Sequence, residues 1–142
     1  MASDPSLDGI VASSERLKGR PVPQPRTPRR GEIWMVHTPG QPDDPHQPRP
    51  ALVVSEDVRN HMRDDLIVVP VFSAGRLGPT RVQVESAVGG LRNDSVLFCE
   101  EITTIDRDFL QRGPLGPRVP AVLMERVVRA IRRAIGEVVA ES

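Results

Sequence analysis

Cysteine, lysine and aromatic residues are all scarce in this chain of 142 residues. Cys99 is the only cysteine, which excludes an internal disulfide and any metal site built from several cysteines. Such a chain suits the reducing cytoplasm, where we expect it to function. The longest apolar run is LIVVPVF at 66–72, far short of the roughly 20 residues that span a bilayer, so we expect no membrane partner.

An excess of positive charge is also missing. The formal net charge is zero, which argues against a broadly basic nucleic-acid binder, although residues 1–30 hold six basic and three acidic side chains. Residues 1–29 are rich in proline and arginine and poor in apolar residues. We therefore predict a disordered Pro/Arg-rich arm over 1–29 and one folded domain over 30–142, with a partner-binding tail as the functional alternative for the arm.

The rest of the chain contains several short segments with strand character and one helical segment. The predicted strands are GEIWMVH at 31–37, RPALVVS at 49–55, LIVVPVFS at 66–73, RVQVES at 81–86 and the centre of DSVLFCEEITTI at 94–105. Apolar residues recur at helical spacing after Pro120, including Leu123, Val127 and Ala130. This order predicts a small, strongly curved sheet or barrel capped by a helix.

Two polar residues mark the ends of the second and third predicted strands. Arg49 lies where a Pro-rich loop enters one strand, and Ser73 lies where the other strand leaves for the loop AGRLGPT. If these strands pair, a guanidinium and a hydroxyl meet at one rim of the sheet and can hold a phosphate. Taken alone, Arg49 is an ordinary loop arginine.

The scattered histidines and acids show no metal-ligand spacing, so we expect no metal or other cofactor.

The order and spacing of these segments resemble the MazF/PemK family of toxins from toxin-antitoxin pairs. The matching pieces are RGEIW at 30–34, RPALVVS, LIVVPVFS, GLRNDSVLFCEEITTID at 90–106 and the closing amphipathic helix, which together span about residues 30–138. The resemblance implies an SH3-like, partly open β-barrel with a C-terminal amphipathic helix. It also implies a homodimeric, metal-independent endoribonuclease that cleaves single-stranded RNA at short sequences and is neutralised by a cognate antitoxin.

The same resemblance assigns roles to individual residues. Arg49 matches the family's catalytic arginine, and Ser73 matches its catalytic hydroxyl, which is more often a threonine. Many members have Glu-Gln in the preceding loop, where this chain has Asp44-Pro45. Asp44, His46 and Gln47 remain candidate substrate contacts.

Aromatic faces can stack on unpaired bases, which makes Trp34 and Phe72 candidate base contacts, with burial in the core as the alternative for each. Arg76, in the AGRLGPT loop, is a further candidate substrate contact. Glu100 and Glu101 fall where the family often has an acid followed by glutamine, and we expect structural roles for both.

Two other functions remain open for the same fold. Gyrase-poisoning toxins share this barrel, bind a protein and need no pair of arginine and hydroxyl at the strand ends. The other alternative is a catalytically inactive relative with an RNA-binding or regulatory role. In such a protein, the departures from the family pattern at Ser73 and Asp44-Pro45 have removed RNA cleavage.

Overall fold

The computed structural model describes residues 27–37 and 47–137, and these form a mainly β fold. The strands are β1 Ile33–Val36, β2 Arg49–Val53, β3 Asp65–Phe72, β4 Arg81–Val84, β5 Ser95–Phe98, β6 Thr103–Asp106 and β7 Leu110–Arg112. The helices are α1 Asp57–Met62 and α2 Ala121–Ala134. Single turns of 3-10 helix lie at Val88–Gly90, Cys99–Glu101 and Arg107–Phe109.

The strands pair antiparallel in the order β4-β5-β3-β2-β1-β7, and β6 pairs with β3. β3 changes neighbour along its length, because β6 pairs with it up to Val68 and β5 pairs with it from Val71. Pro70 lies at this change, where a residue without a backbone N–H interrupts the ladder least. β3 thereby joins the two parts of one open seven-stranded sheet, and the predicted partly open barrel is confirmed.

Apolar side chains are buried on both faces of the sheet. One cluster contains Ile33, Leu52 and Val69 and is covered by α2. The other contains Trp34, Leu66 and further residues of β2, β3 and β6. Because the central strands bury both faces, their sequences read as nearly continuous apolar runs.

The predicted C-terminal amphipathic helix is confirmed as α2. Its buried residues are Leu123, Met124, Val127 and Ala130, and they pack towards β4 and the turn at Cys99–Glu101. Most of its arginines are exposed. The helix begins after Pro120, and Gly136 follows its end with φ +104°, a left-handed conformation that glycine adopts without strain.

Three local features differ from the sequence prediction. The polar connection between β2 and β3 contains α1, which is held by the buried Asn60 rather than by an apolar face: the Asn60 amide donates to the Ser55 carbonyl at 3.0 Å. The segment 94–105, predicted to hold one strand at its centre, instead contains β5 and the start of β6, which the turn at Cys99–Glu101 separates. The segment after Phe109, which is not among the predicted strands, forms the short edge strand β7 against β1.

The predicted arm lies largely outside the described residues. Its last residues belong to the folded part, because Pro28 is fully buried and the Arg29 N–H donates to Oε1 of Glu32 at 2.9 Å. Within the described part of the chain, no helix is both long and apolar enough to span a membrane.

Candidate active site

Arg49 and Ser73 lie together at one end of the β2–β3 pair. Arg49 is the first residue of β2, and Ser73 directly follows β3. The register pairs Ala51 with Pro70, so its continuation places Arg49 opposite Phe72 and beside Ser73. Both residues line one groove of about 560 Å³. The predicted meeting of a guanidinium and a hydroxyl at one rim is therefore found.

The groove contains two further arginines that no sequence pattern indicated. Arg112 comes from the edge strand β7, and Arg92 comes from the turn before β5. Both are exposed, and neither forms an ion pair with another described residue. Asn93 and Ser95 add polar groups to the same wall. The groove thus combines three guanidinium groups with hydroxyl and amide groups, which suits a ligand with several phosphates.

A row of contacting side chains extends from Arg49, and its two aromatic rings are tilted by 46° to each other. The Arg49 guanidinium carbon lies 4.5 Å from the centre of the Phe72 ring, and the Phe72 and Phe98 ring centres are 4.3 Å apart. On Phe98, the guanidinium carbon of Arg81 lies 3.8 Å from the ring centre. We call Arg49, Phe72, Phe98 and Arg81 the aromatic stack. Cation–π contacts of this kind orient a guanidinium plane over a ring.

Glu100 holds the far end of the aromatic stack. Its Oε2 accepts hydrogen bonds from Nε of Arg81 at 2.9 Å and from Nη2 at 2.6 Å, and its Oε1 accepts one from the Thr80 hydroxyl at 3.1 Å. The hydrogen bonds from Arg81 hold the pKa of Glu100 below its usual value. Glu100 is therefore a charged anchor for Arg81, in agreement with the expected structural role.

Comparison with known protein families shows the family to which this chain belongs. Residues 29–135 match the family described as PemK-like, MazF-like toxin of type II toxin-antitoxin system. This chain belongs to the PemK/MazF toxin family. The match covers the whole sheet and α2, so the family fold and the groove at the β2–β3 end are both within it.

Individual relatives within the PemK/MazF family agree with this assignment. The chain is 34% identical over 101 residues to Endoribonuclease PemK of Escherichia coli, covering 70% of this chain and 75% of that protein. It is 34% identical over 111 residues to Endoribonuclease MazF9 of Mycobacterium tuberculosis, covering 73% and 92%. A solved mycobacterial endoribonuclease in complex with its cognate antitoxin superposes with a TM-score of 0.62 at 26% identity, covering 77% of this chain and 95% of that one.

Not every candidate residue of this PemK/MazF domain lies in the groove. Trp34 is a core residue: it is 0% exposed, and its Nε1 donates to Oε1 of Glu32 at 3.0 Å. Its proposed stacking on RNA bases is therefore wrong, and the core alternative holds. Phe72 lines the groove half-buried within the aromatic stack. Asp44 and His46 lie outside the described residues.

The remaining residues singled out from the sequence do not line the groove. Arg76 is exposed in the loop after Ser73 and is not among the residues lining the groove, but its carbonyl accepts from Nη1 of Arg81 at 3.1 Å. Gln47 is half-buried two residues before Arg49. Cys99 is fully buried, and this burial raises the pKa of its thiol to about 12. Among residues 27–37 and 47–137, no three or more His, Cys, Asp or Glu side chains are grouped to hold a metal ion.

Proposed function

We propose that this protein, an endoribonuclease toxin of the PemK/MazF type, cleaves single-stranded RNA at short sequences through attack by the ribose 2′-hydroxyl, without a metal ion. The observation that carries the proposal is the meeting of Arg49 and Ser73 in one groove. The additional guanidinium groups of Arg92 and Arg112 support it, because they give the groove contacts for neighbouring phosphates.

The reaction asks little covalent chemistry of the protein, because RNA carries its own nucleophile. The 2′-oxygen loses its proton and bonds to the adjacent phosphorus, while the bond from phosphorus to the 5′-oxygen breaks and that oxygen gains a proton. The products are a 2′,3′-cyclic phosphate and a 5′-hydroxyl. Arg49 stabilises the charge that grows on the phosphoryl oxygens, and Ser73 binds one such oxygen or orients the 2′-hydroxyl.

An apolar hollow beside the groove is the proposed seat for an unpaired base. It has a volume of about 370 Å³, and Arg49, Pro50 and Phe72 line both it and the groove. Its other walls include the buried side chains of Ala51 and Val68. A base bound there lies next to the phosphate that Arg49 contacts and against the edge of the Phe72 ring, whose faces contact Arg49 and Phe98.

We also propose that a cognate antitoxin binds the same groove and that the toxin acts as a homodimer. The antitoxin proposal is supported by the related mycobacterial endoribonuclease, which was solved in complex with its cognate antitoxin. An antitoxin segment carrying acidic side chains complements the groove arginines. Its bound segment then excludes RNA by occupying the same surface.

The decisive experiment incubates the purified, antitoxin-free protein with a long single-stranded RNA in EDTA and maps the cut ends. We expect cleavage at a recurring short sequence that leaves cyclic phosphate ends. Arg49→Ala is expected to lower the rate by about a hundredfold to a thousandfold, as the loss of one oxyanion donor typically does. Arg126→Ala, which removes an exposed arginine of α2 away from the groove, serves as the matched control.

Other outcomes select the other functions. An Arg49→Ala protein that cuts as fast as the parent contradicts the catalytic assignment. A folded parent that cuts no RNA but produces gyrase-dependent DNA breaks is a gyrase-binding toxin. A parent that binds RNA without cutting it is the inactive relative.

A further inference from the structure

We infer that Arg81, held by Glu100, is a positioning residue that keeps both Arg49 and Ser73 in their working geometry through Phe98. The inference rests on the proposed function for its kinetic consequence, but the positioning itself is a property of the free protein. Arg81 is the first residue of β4, on the far side of the aromatic stack from the groove. It touches neither Arg49 nor Ser73 in any described contact, so its influence passes through other residues.

The path to Arg49 is the aromatic stack. Arg81 packs on Phe98, Phe98 packs on Phe72 at a ring-centre distance of 4.3 Å, and Phe72 carries the Arg49 guanidinium. Phe98 ends β5 and Phe72 ends β3, so both rings lie at strand ends. With Arg81 on its outer face, the Phe98 ring is confined. A freely tilting ring there would let Phe72, and with it the Arg49 guanidinium, shift relative to the scissile phosphate.

The path to Ser73 runs through the loop that follows it. A methyl group added to Gly75 would lie only 2.6 Å from Cε1 and Cζ of Phe98, so the loop backbone packs directly against this ring. One residue further, the Arg76 carbonyl accepts a hydrogen bond from Nη1 of Arg81 at 3.1 Å. Residues 74–79 belong to no strand or helix. The contacts to Phe98 and Arg81 thus hold an exposed loop that begins at Ser73.

The chemistry of the side chains explains why this position takes an arginine. Only a planar guanidinium can lie on a ring while donating in its own plane to a carboxylate and a carbonyl. Glu100 receives two of those donors, and the Thr80 hydroxyl fixes its other oxygen. The Arg81 and Glu100 side chains are 26% and 30% exposed, and an arginine–glutamate pair in contact with solvent contributes little to global stability. Its effect on local order near the groove is therefore separable from its effect on folding.

The kinetic test compares Arg81→Gln, Arg81→Lys, Glu100→Gln and the double variant Arg81→Gln/Glu100→Gln in the RNA cleavage assay. We expect kcat to fall about tenfold to a hundredfold with KM within about twofold, because a misplaced catalytic group slows the chemistry more than it weakens binding. Lysine is expected to restore little, since it cannot stack in the same way. The double variant should be no slower than the slower single variant, because both changes break one unit.

The control pair is Arg132→Gln and Glu137→Gln. Arg132 and Glu137 form another exposed arginine–glutamate ion pair, at the end of α2 and outside the groove. We expect parental kcat from both control variants. If Arg81→Gln keeps parental kcat, Arg81 has no positioning role. If the effects of Arg81→Gln and Glu100→Gln multiply in the double variant, Glu100 acts separately from Arg81, and the inference is overturned.

A second readout, independent of RNA, uses the ring currents of Phe98 and Phe72. The Gly75 Hα protons pack on one ring and the Arg49 side chain on the other, so their NMR frequencies report the geometry directly. We expect Arg81→Gln to move both sets of signals towards their values in an unfolded peptide, while Arg132→Gln leaves them unchanged. If the parent cuts no RNA, the proposed function fails, and these signals still decide whether Arg81 positions Arg49 and the Ser73 loop. Unchanged signals in Arg81→Gln overturn the inference.

Discussion

The hydroxyl of Ser73 is exposed at the rim of the groove, one residue beyond β3. A serine hydroxyl can donate and accept, but no β-methyl restricts its rotamer. We expect Ser73→Ala to lower the cleavage rate by a smaller factor than Arg49→Ala does, about tenfold, because the charge of Arg49 remains.

The matched variant is Ser73→Thr, which keeps the hydroxyl and adds the methyl group. We expect it to cut at the parental rate or faster. The measurement is single-turnover cleavage of one RNA by the three proteins at equal concentration. Parental cleavage by Ser73→Ala would show that Ser73 is only the end of a strand.

At the same scale, the sequence predicted Arg49 and Ser73 because each lies next to an apolar run whose limits are readable. The sequence did not predict Arg92 and Arg112 as groove residues, since their positions depend on which strands become neighbours. Arg112 shares its register position with Met35 of β1, more than seventy positions away in the chain. Trp34 was left open between a base contact and the core, because an aromatic residue in an apolar strand gives the same sequence pattern whether it is exposed or buried.

At the scale of single elements, α2 offers a direct test of the packing. Leu123 is 7% exposed and packs in the main core, whereas Val122, the residue before it, is 65% exposed. We expect Leu123→Ala to lower the free energy of unfolding by about 2 to 3 kcal/mol, through lost burial and the cavity left behind. Val122→Ala should change it by less than about 0.5 kcal/mol.

Urea denaturation followed by circular dichroism measures both variants against the parent. Equal destabilisation by Leu123→Ala and Val122→Ala would contradict the orientation of α2. The contrast is sharp because the two residues are adjacent in the chain and differ mainly in the face of the helix that they occupy.

The elements that the sequence predicted best are those with a strong periodic signal. β2 and β3 combine β-branched residues with clear turn boundaries, and α2 repeats apolar residues at helical spacing over 14 residues. The missed elements lack such a signal. The short helix α1 is fastened by polar contacts of Asn60, and β7 has only three residues, of which Leu110 alone is buried.

For the whole molecule, neutrality and RNA binding are compatible because the charge is unevenly placed. The formal net charge is zero, yet the groove has three arginines and no acidic residue among its lining residues. Elsewhere, arginines such as Arg59 and Arg132 are paired with carboxylates. A phosphate chain therefore meets local positive potential on a protein that does not attract nucleic acid generally.

This arrangement predicts a modest and site-specific dependence of RNA affinity on salt. Each phosphate contact to a single strand contributes about 0.7 to the slope of log K against log salt concentration, so three groove arginines predict a slope of about −2 for one groove. Arg112→Gln should reduce the magnitude of that slope by about 0.7 and weaken binding most at low salt. Arg129→Gln, which changes an exposed arginine of α2 outside the groove, should leave it unchanged.

The binding measurement uses fluorescence anisotropy with an oligonucleotide that has 2′-deoxy sugars at its cleavage sites, because it lacks the attacking hydroxyl and is not consumed. Titrations at several salt concentrations give the slope for each protein. Equal reductions from Arg112→Gln and Arg129→Gln would mean that RNA contacts the surface at large. A slope near zero for the parent would remove phosphate contacts from the groove altogether, because displaced counterions are what make such binding salt-dependent.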